Sequence, residues 1–175
     1  MDNLKSKLVF LKEFVREFEA MGAFCATSSF AGKAMTEAMV GKRAPMRVLE
    51  AGPGTGSVTD QILRRMIPGD ELVCCEINPR LMAALKENIS KHPLFPQFKY
   101  QISFFTGPVQ ELPSDKPFDL IVCAIPFLNL DIEIIQQIFG RFKELSHTKT
   151  TMTYYEYIAM RHLGKAVSRS RRERV

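Results

Sequence analysis

The sequence predicts an α/β domain, a doubly wound and mostly parallel sheet with helices on both faces. Three observations lead there. Short β-prone runs at 46–51, 71–76, 98–105, 118–124 and 150–158 alternate with longer stretches of helical period. The first run leads directly into closely spaced glycines that open onto a helix. Strands and helices that alternate at this length pair in parallel through right-handed crossovers.

Each element has its own signal. At the N-terminus, Leu4, Leu8, Leu11, Val15 and Phe18 step by four and three, widened by Phe10, Phe14 and Met21, so residues 1–22 read as an amphipathic helix stopped at Gly22. Ala26-Thr27-Ser28-Ser29-Phe30 carries N-cap chemistry for a second helix through Lys33, Met35, Met39 and Val40, ending near Gly41. Met46–Ala51 is the first strand, and Gly52–Gly56 the glycine loop. A helix through Val58, Ile62, Leu63 and Met66 follows, stopped by Pro68-Gly69. Glu71–Glu76 is too short and too β-prone for a helix. Asn78-Pro79 opens a helix through Leu81, Leu85 and Ile89. Phe98–Phe105 and Phe118–Ala124 are the next strands, Ile132–Leu145 a helix, and Thr150–Ile158 a strand rich in threonine and tyrosine. Sheets of this kind usually carry two further strands, so a shortened or minimal version is expected.

The 175 residues suit a single domain spanning 1–175, and 46% are apolar. No apolar run reaches the length of a membrane span, and charges every few residues at the N-terminus do not suit a secretory signal, so a cytoplasmic location is expected. Cys25, Cys74, Cys75 and Cys123 form no CxxC pair, and His92, His147 and His162 lie far apart, so no metal site is expected. Cys74, Cys75 and Cys123 read as small buried hydrophobes. The net charge of +5 sits in residues 161–175, where Arg161, Lys165, Arg169, Arg171, Arg172 and Arg174 face Glu173 alone. That basic tail suits a phosphate-bearing surface, lipid or nucleic acid, or equally a solvated end.

The strongest signal is Val48-Leu49-Glu50-Ala51-Gly52-Pro53-Gly54-Thr55-Gly56-Ser57-Val58-Thr59. A P-loop needs a lysine and a hydroxyl residue after its last glycine, and Ser57-Val58 do not supply them. A dinucleotide fingerprint needs a glycine three residues after Gly54, where Ser57 stands. Glu50, two residues ahead of the loop, would repel a pyrophosphate but suits the ammonium of a bound methionine moiety. S-adenosylmethionine, a phosphate-free sulfonium, is therefore the expected cofactor. Glu76 closes the second strand twenty residues beyond Gly56 and is placed to accept both ribose hydroxyls; its alternative is a solvated residue ahead of the Asn78-Pro79 helix.

These residues resemble the class I methyltransferases, with their Rossmann-like sheet, and within them the bacterial phospholipid N-methyltransferases. That finer resemblance rests on Phe24-Cys25-Ala26-Thr27-Ser28-Ser29, the glycine loop, Glu76-Ile77-Asn78, Phe118-Asp119-Leu120-Ile121-Val122, Ile125-Pro126-Phe127-Leu128-Asn129 and Tyr154-Tyr155-Glu156-Tyr157. It implies a cofactor site around Ser28, Ser29, Glu50, Ala51, Gly52, Gly54, Gly56, Thr59, Glu76, Ile77 and Ala124. It also implies methylation of a head-group amine such as that of phosphatidylethanolamine, by a cytoplasmic protein held peripherally at the inner face of an anionic membrane. The ribosomal RNA adenine dimethyltransferases share a Gly-Pro-Gly-x-Gly loop but follow the fourth strand with an Asn-Leu-Pro-Tyr type motif, where this chain reads Ala124-Ile125-Pro126-Phe127. One departure touches both families. The aspartate that pairs with the cofactor's adenine aligns with Pro108, leaving Gln110 or a backbone carbonyl as its substitute.

The chemistry expected is in-line transfer of a methyl group to a deprotonated amine, driven mostly by alignment. Tyr155, Tyr157 and Asn129, with Glu156 beside them, are the candidate proton acceptors near the C-terminal edge of the sheet; a half-buried strand would also contain such tyrosines. The N-terminal helix, with Lys5, Lys7, Lys12 and Arg16, suits either a lipid interface or packing on the sheet. The alternatives are an RNA-directed methyltransferase and a catalytically silent protein that binds the cofactor or lipid.

Overall fold

The computed structural model describes residues 29–127 and 130–154. The expected N-terminal helix and the basic tail lie outside them. The order of elements is α1 (Ser29–Met35), a 3-10 turn (Glu37–Met39), β1 (Arg47–Ala51), α2 (Ser57–Leu63), β2 (Glu71–Glu76), α3 (Pro79–Ser90), α4 (Phe95–Phe98), β3 (Ile102–Thr106), a second 3-10 turn (Val109–Glu111), β4 (Phe118–Cys123), α5 (Ile132–Glu144) and β5 (Ser146–Tyr154). The strands lie in the order β3-β2-β1-β4-β5, with every neighbouring pair parallel. The chain winds outward from β1 to β3, then crosses to β4 on β1's other side. That reversal opens a crevice past the carboxyl ends of β1 and β4, the usual place for a ligand in such sheets.

Alternation along the strands makes two cores. Val48, Leu72, Cys74, Leu120 and Val122 face one way and meet Ile62, Leu63, Met82 and Leu85 from α2 and α3. Leu49, Ala51, Cys75, Ile121 and Cys123 face the other way and meet Ile138 and Phe142 from α5. Strands buried on both faces read as continuous apolar runs, which is why Leu72–Cys75 and Leu120–Cys123 show no polar alternation. The three thiols in these layers are buried and unpaired.

Several boundaries differ from the sequence-based expectation, three of them by four residues or more. The second helix ends at Met35, because the Thr36 hydroxyl donates to the Gly32 carbonyl at 2.7 Å and chain resumes as a 3-10 turn. The third strand starts at Ile102 rather than Phe98, since Phe98 closes the α4 turn and buries its ring in the first core. The fifth strand starts at Ser146 rather than Thr150 and is described to Tyr154; the rest of the expected strand, 155–158, lies outside the described residues. Its polar start is held by side chains, with Thr150 Oγ1 donating to Phe118 O at 2.6 Å and His147 Nε2 lying 3.0 Å from Asp119 Oδ1, across an irregularity in the ladder.

At the end of the sheet away from the crevice, Asp70 organises the approach to β1 and β2. Its buried carboxylate accepts both Arg43 terminal nitrogens, at 2.7 and 2.6 Å, and the Met46 and Ile67 amides, each at 2.8 Å. Burial pushes its pKa up, but Arg43 and the two amides outweigh that, so it lies below the ordinary carboxylate value. A depressed folded pKa adds stability that is present above about pH 4 and lost as the pH falls through the folded value. Asp70→Ala should cost about 3–5 kcal/mol in urea unfolding at pH 7 by leaving Arg43 without its partner. Asp70→Asn should flatten the acid limb below about pH 4.

Candidate functional site

The site is built where β1 and β2 run out. Gly52 N–H donates to Cys75 O at 2.8 Å and Ala124 N–H to Ala51 O at 2.8 Å, so the ladder continues one residue past the strands on both sides. The chain then turns through Gly52, Gly54 and Gly56, all at positive φ. At two of these a side chain would be both strained and crowded. A Cβ on Gly52 would lie 3.1 Å from Ile125 Cγ1 and 3.3 Å from Ile125 N, and one on Gly56 would lie 2.9 Å from Leu85 Cδ1, each at a left-handed φ.

Glu76, the last residue of β2, fixes this loop. Its Oε2 accepts Gly54 N–H at 3.1 Å and its Oε1 accepts Asn78 N–H at 2.9 Å. It is 1% exposed, so the reading of a solvated residue ahead of the helix does not hold. Burial pushes its pKa up, and the amides of Asn78, Gly54 and Ile77 pull it partly back. Asn78 caps α3 as the sequence predicts, its Oδ1 accepting Arg80 N–H at 2.9 Å with Pro79 following. From the far turn of α3, Asn88 donates to Thr55 O at 2.9 Å and holds the loop's outer edge.

Glu50 has a different surrounding. Its carboxylate is fully buried beneath α2, where Oε2 accepts the Thr59 hydroxyl at 2.7 Å and lies 3.8 Å from Cys74 Sγ. Oε1 has no hydrogen-bond partner among the described residues. Burial pushes its pKa up to about 7, only partly opposed by Thr59 and Cys74 and reinforced by Glu76.

A cleft of about 390 Å³, counting the solvent at its mouth, lies against the loop. Gly52, Glu76, Ile77 and Gln110 line it. Glu50 and Thr59 stand behind the loop, Ala51 and Ala124 close the strand ends, and Gly54 and Gly56 shape the turn. Ser29 is the first residue of α1. Ser28, Asn129, Tyr155 and Tyr157 lie outside the described residues. The apolar wall formed by Val109, Ile125 and Ile138 was not anticipated. Ile138 follows the helical period of a core residue, and only the packing of α5 on the second 3-10 turn brings it to the cleft. Past Ala124, Phe127 lies 5.3 Å from Phe139 and 6.4 Å from Tyr154, ring centre to ring centre.

The raised Glu50 pKa has a definite sign. The folded chain binds the proton more tightly than the unfolded chain, so stability is full below about pH 4.5 and falls as the pH rises through 7. Glu50→Gln should remove that decline. In urea unfolding, the variant should gain on the parent between pH 5 and pH 8 by an order of about 1–3 kcal/mol. Parallel pH profiles would show that Glu50 is charged throughout.

A family model described as a methyltransferase domain matches residues 48–147. Among curated proteins, a probable dimethyladenosine transferase of Drosophila melanogaster is 38% identical over 85 residues, and one of Caenorhabditis elegans is 35% identical over 80. Those stretches cover 49% and 46% of this chain but 25% and 23% of the relatives, about a quarter of their length. Two solved structures share the fold. The glycopeptide N-methyltransferase MtfA complexed with S-adenosyl-L-methionine aligns over 70% of this chain and 52% of its own, with TM-score 0.56 and 19% identity. The O-methyltransferase from Bacillus cereus in complex with S-adenosylhomocysteine aligns over 81% and 63%, with TM-score 0.57 and 20% identity. With the family match running from β1 into β5, over more than half of the sequence, the chain belongs to the methyltransferase domain family and carries its Rossmann-like sheet.

Proposed function

We propose that the chain is an S-adenosylmethionine-dependent N-methyltransferase whose acceptor is an alkyl amine, the head group of a phospholipid such as phosphatidylethanolamine, met at the inner face of an anionic membrane. The residues present fit the cofactor. Glu76 uses one lone pair on each oxygen for Gly54 and Asn78, and a carboxylate has about four such sites, so acceptors remain for two ribose hydroxyls. Two buried acids near the loop favour a cationic ligand over a phosphate. When bound, the cofactor supplies an electrophilic methyl on a positive sulfur. The chain's part is to hold ribose and methionine moieties so that the acceptor nitrogen meets that methyl in line.

The observation that carries the choice of amine is the chemistry following β4. Ala124 is 7% exposed and its N–H is already used by Ala51, while Ile125, Pro126 and Phe127 bring no side-chain acceptor. An adenine amine, whose lone pair is delocalised, needs such an acceptor to become nucleophilic. An alkyl amine needs only to lose its proton, for which Glu156 is the candidate base, with Tyr155, Tyr157 and Asn129 as candidate hydrogen-bonding partners of the amine. A second reading, RNA adenine methylation, is favoured by the names of the two curated relatives and by the basic 161–175 segment.

The decisive experiment offers methyl-labelled S-adenosylmethionine with phosphatidylethanolamine liposomes and, separately, with unmodified ribosomal RNA. Label in lipid is expected. Label in RNA alone would replace the leading reading with the second, and tight cofactor binding with label in neither would point to a silent binding protein. Calorimetry with S-adenosylhomocysteine gives an independent check. Glu76→Ala should weaken binding about 10- to 100-fold, the worth of hydrogen bonds to a buried charge.

A further inference from the structure

The glycine loop ends in the first turn of α2, and that turn is wedged between two helices. Toward the β3 edge stands α3, whose Leu85 Cδ1 would lie 2.9 Å from a Cβ on Gly56. Toward β5 stands α1, tied to that strand by Thr153 Oγ1, which donates to Met35 O at 2.7 Å. A Cβ on Gly32, in the middle of α1, would lie 2.9 Å from Gln61 Cγ and 3.7 Å from Ser57 O, so the two helices touch where α2 begins. Glu76 and Asn88 hold the loop from the side of β2 and α3. On the other side its support is α1.

The 7 residues of α1 are too few to keep a helix by themselves. The helix is held instead through carbonyls at its C-terminal end, which have no partners inside it. Besides the Thr153 bond, Arg65 Nη1 donates to Lys33 O at 2.6 Å and to the Thr36 hydroxyl. A guanidinium there also suits the negative end of the helix dipole. Arg65 stands just past the end of α2, so α1 and α2 are clasped at both ends of α2. One end is bare backbone at Gly32, the other is Arg65. Neither residue lines the cleft. The turn they brace carries Thr59, whose hydroxyl holds Glu50 behind the loop.

We propose that α1 is the backstop of the cofactor loop, and that Arg65 is a positioning residue for cofactor binding. It keeps α1 against the first turn of α2, so that Gly54 and Gly56 hold their places at the cleft. The inference rests on the cleft being the cofactor site and is independent of the acceptor. Arg65 touches no cofactor; its effect reaches the loop through Gly32, Gln61 and Ser57.

The test sets affinity against stability. The full chain is titrated calorimetrically with S-adenosylhomocysteine at a temperature where every variant is folded, and thermal unfolding is followed in parallel. Arg65→Ala should weaken binding about five- to tenfold, a part of what a hydrogen bond to a charged group is worth. Arg65→Lys keeps one donor for Lys33 O and should stay within about threefold of the parent. Gly32→Ala should weaken binding by a similar factor to Arg65→Ala, although alanine favours a helix over glycine and the unfolding midpoint should not fall. Adding Gln61→Ala removes the crowding and should bring the affinity back to within about threefold of the parent. A clasp that served stability alone would lower the midpoint of Arg65→Ala and leave the affinity of the folded protein unchanged, and that result overturns the proposal. Parental affinity in Gly32→Ala overturns it too, as does an Arg65→Lys variant as weak as Arg65→Ala or a double variant that recovers nothing. If the parent itself binds no S-adenosylhomocysteine, the reading of the cleft fails and the inference falls with it. If the parent binds and the variants bind equally well, only the clasp is wrong.

Discussion

The Glu76 carboxylate, shut in at the end of β2 and shared between the amides of Gly54 and Asn78, joins three pieces of chain that have no ladder between them. A buried carboxylate is costly without donors, and a buried glycine loop is costly without acceptors, so each removes the other's penalty. The consequences spread from there. Asn78, held by Glu76, caps α3 and sets its direction, and α3 then returns Asn88 to the loop at Thr55 O and packs Leu85 against Gly56, where a side chain would be crowded. Strand end, loop and helix thus form a closed circuit, and the cleft is what remains open on its outer side.

Glu50 shows what happens to the same residue type when that circuit does not serve it. It sits one strand over, in register with Cys74, but is offered one hydroxyl and one thiol instead of two amides. Its pKa rises to about 7 where Glu76 is partly held down by its donors. The neighbouring Glu76 adds to the rise at Glu50. Negative charge is therefore concentrated behind and beside the glycine loop, and is only partly neutralised by the protein itself. A phosphate would be repelled by this arrangement, and a cation would relieve it.

Much of this was legible in the residues because it is governed by local chemistry. Glu71–Glu76 is a strand to the residue, Asn78-Pro79 caps a helix, and the glycines turn where their spacing says they do, since each depends on neighbours in sequence. The misses share a different cause. Thr36 breaks a helical pattern by turning its hydroxyl onto Gly32, and Phe98 leaves its strand for a helical turn because the first core takes its ring. Polar Ser146–Lys149 joins β5 through the ladder pair of Ser146 with Phe118 and through Thr150 and His147, whose partners Phe118 and Asp119 lie on β4. At the cleft, the acidic and glycine residues carried recognisable signals. Val109 and Ile138 carried none beyond apolarity, because their role comes from α5 packing on a turn far from it in sequence.

The side of the crevice beyond Ala124 adds a further constraint on the proposed acceptor. Phe127 packs on Phe139 and edge-on to Tyr154, and the last two remain 39% and 55% exposed, so the aromatic surface is open rather than spent in the core. For an alkyl amine, such surroundings act on the proton before any base does. Desolvation disfavours the ammonium form and lowers its pKa, so the amine meets the methyl donor closer to neutrality. Each methyl added makes the nitrogen bulkier and, once quaternary, permanently charged, and aromatic faces attract that cation through their quadrupoles. An aromatic adenine amine gains from neither effect, because it is already neutral and stays so. On the proposed reading, the aromatic faces of this wall suit an aliphatic nitrogen that begins as an ammonium and ends as a methylated cation.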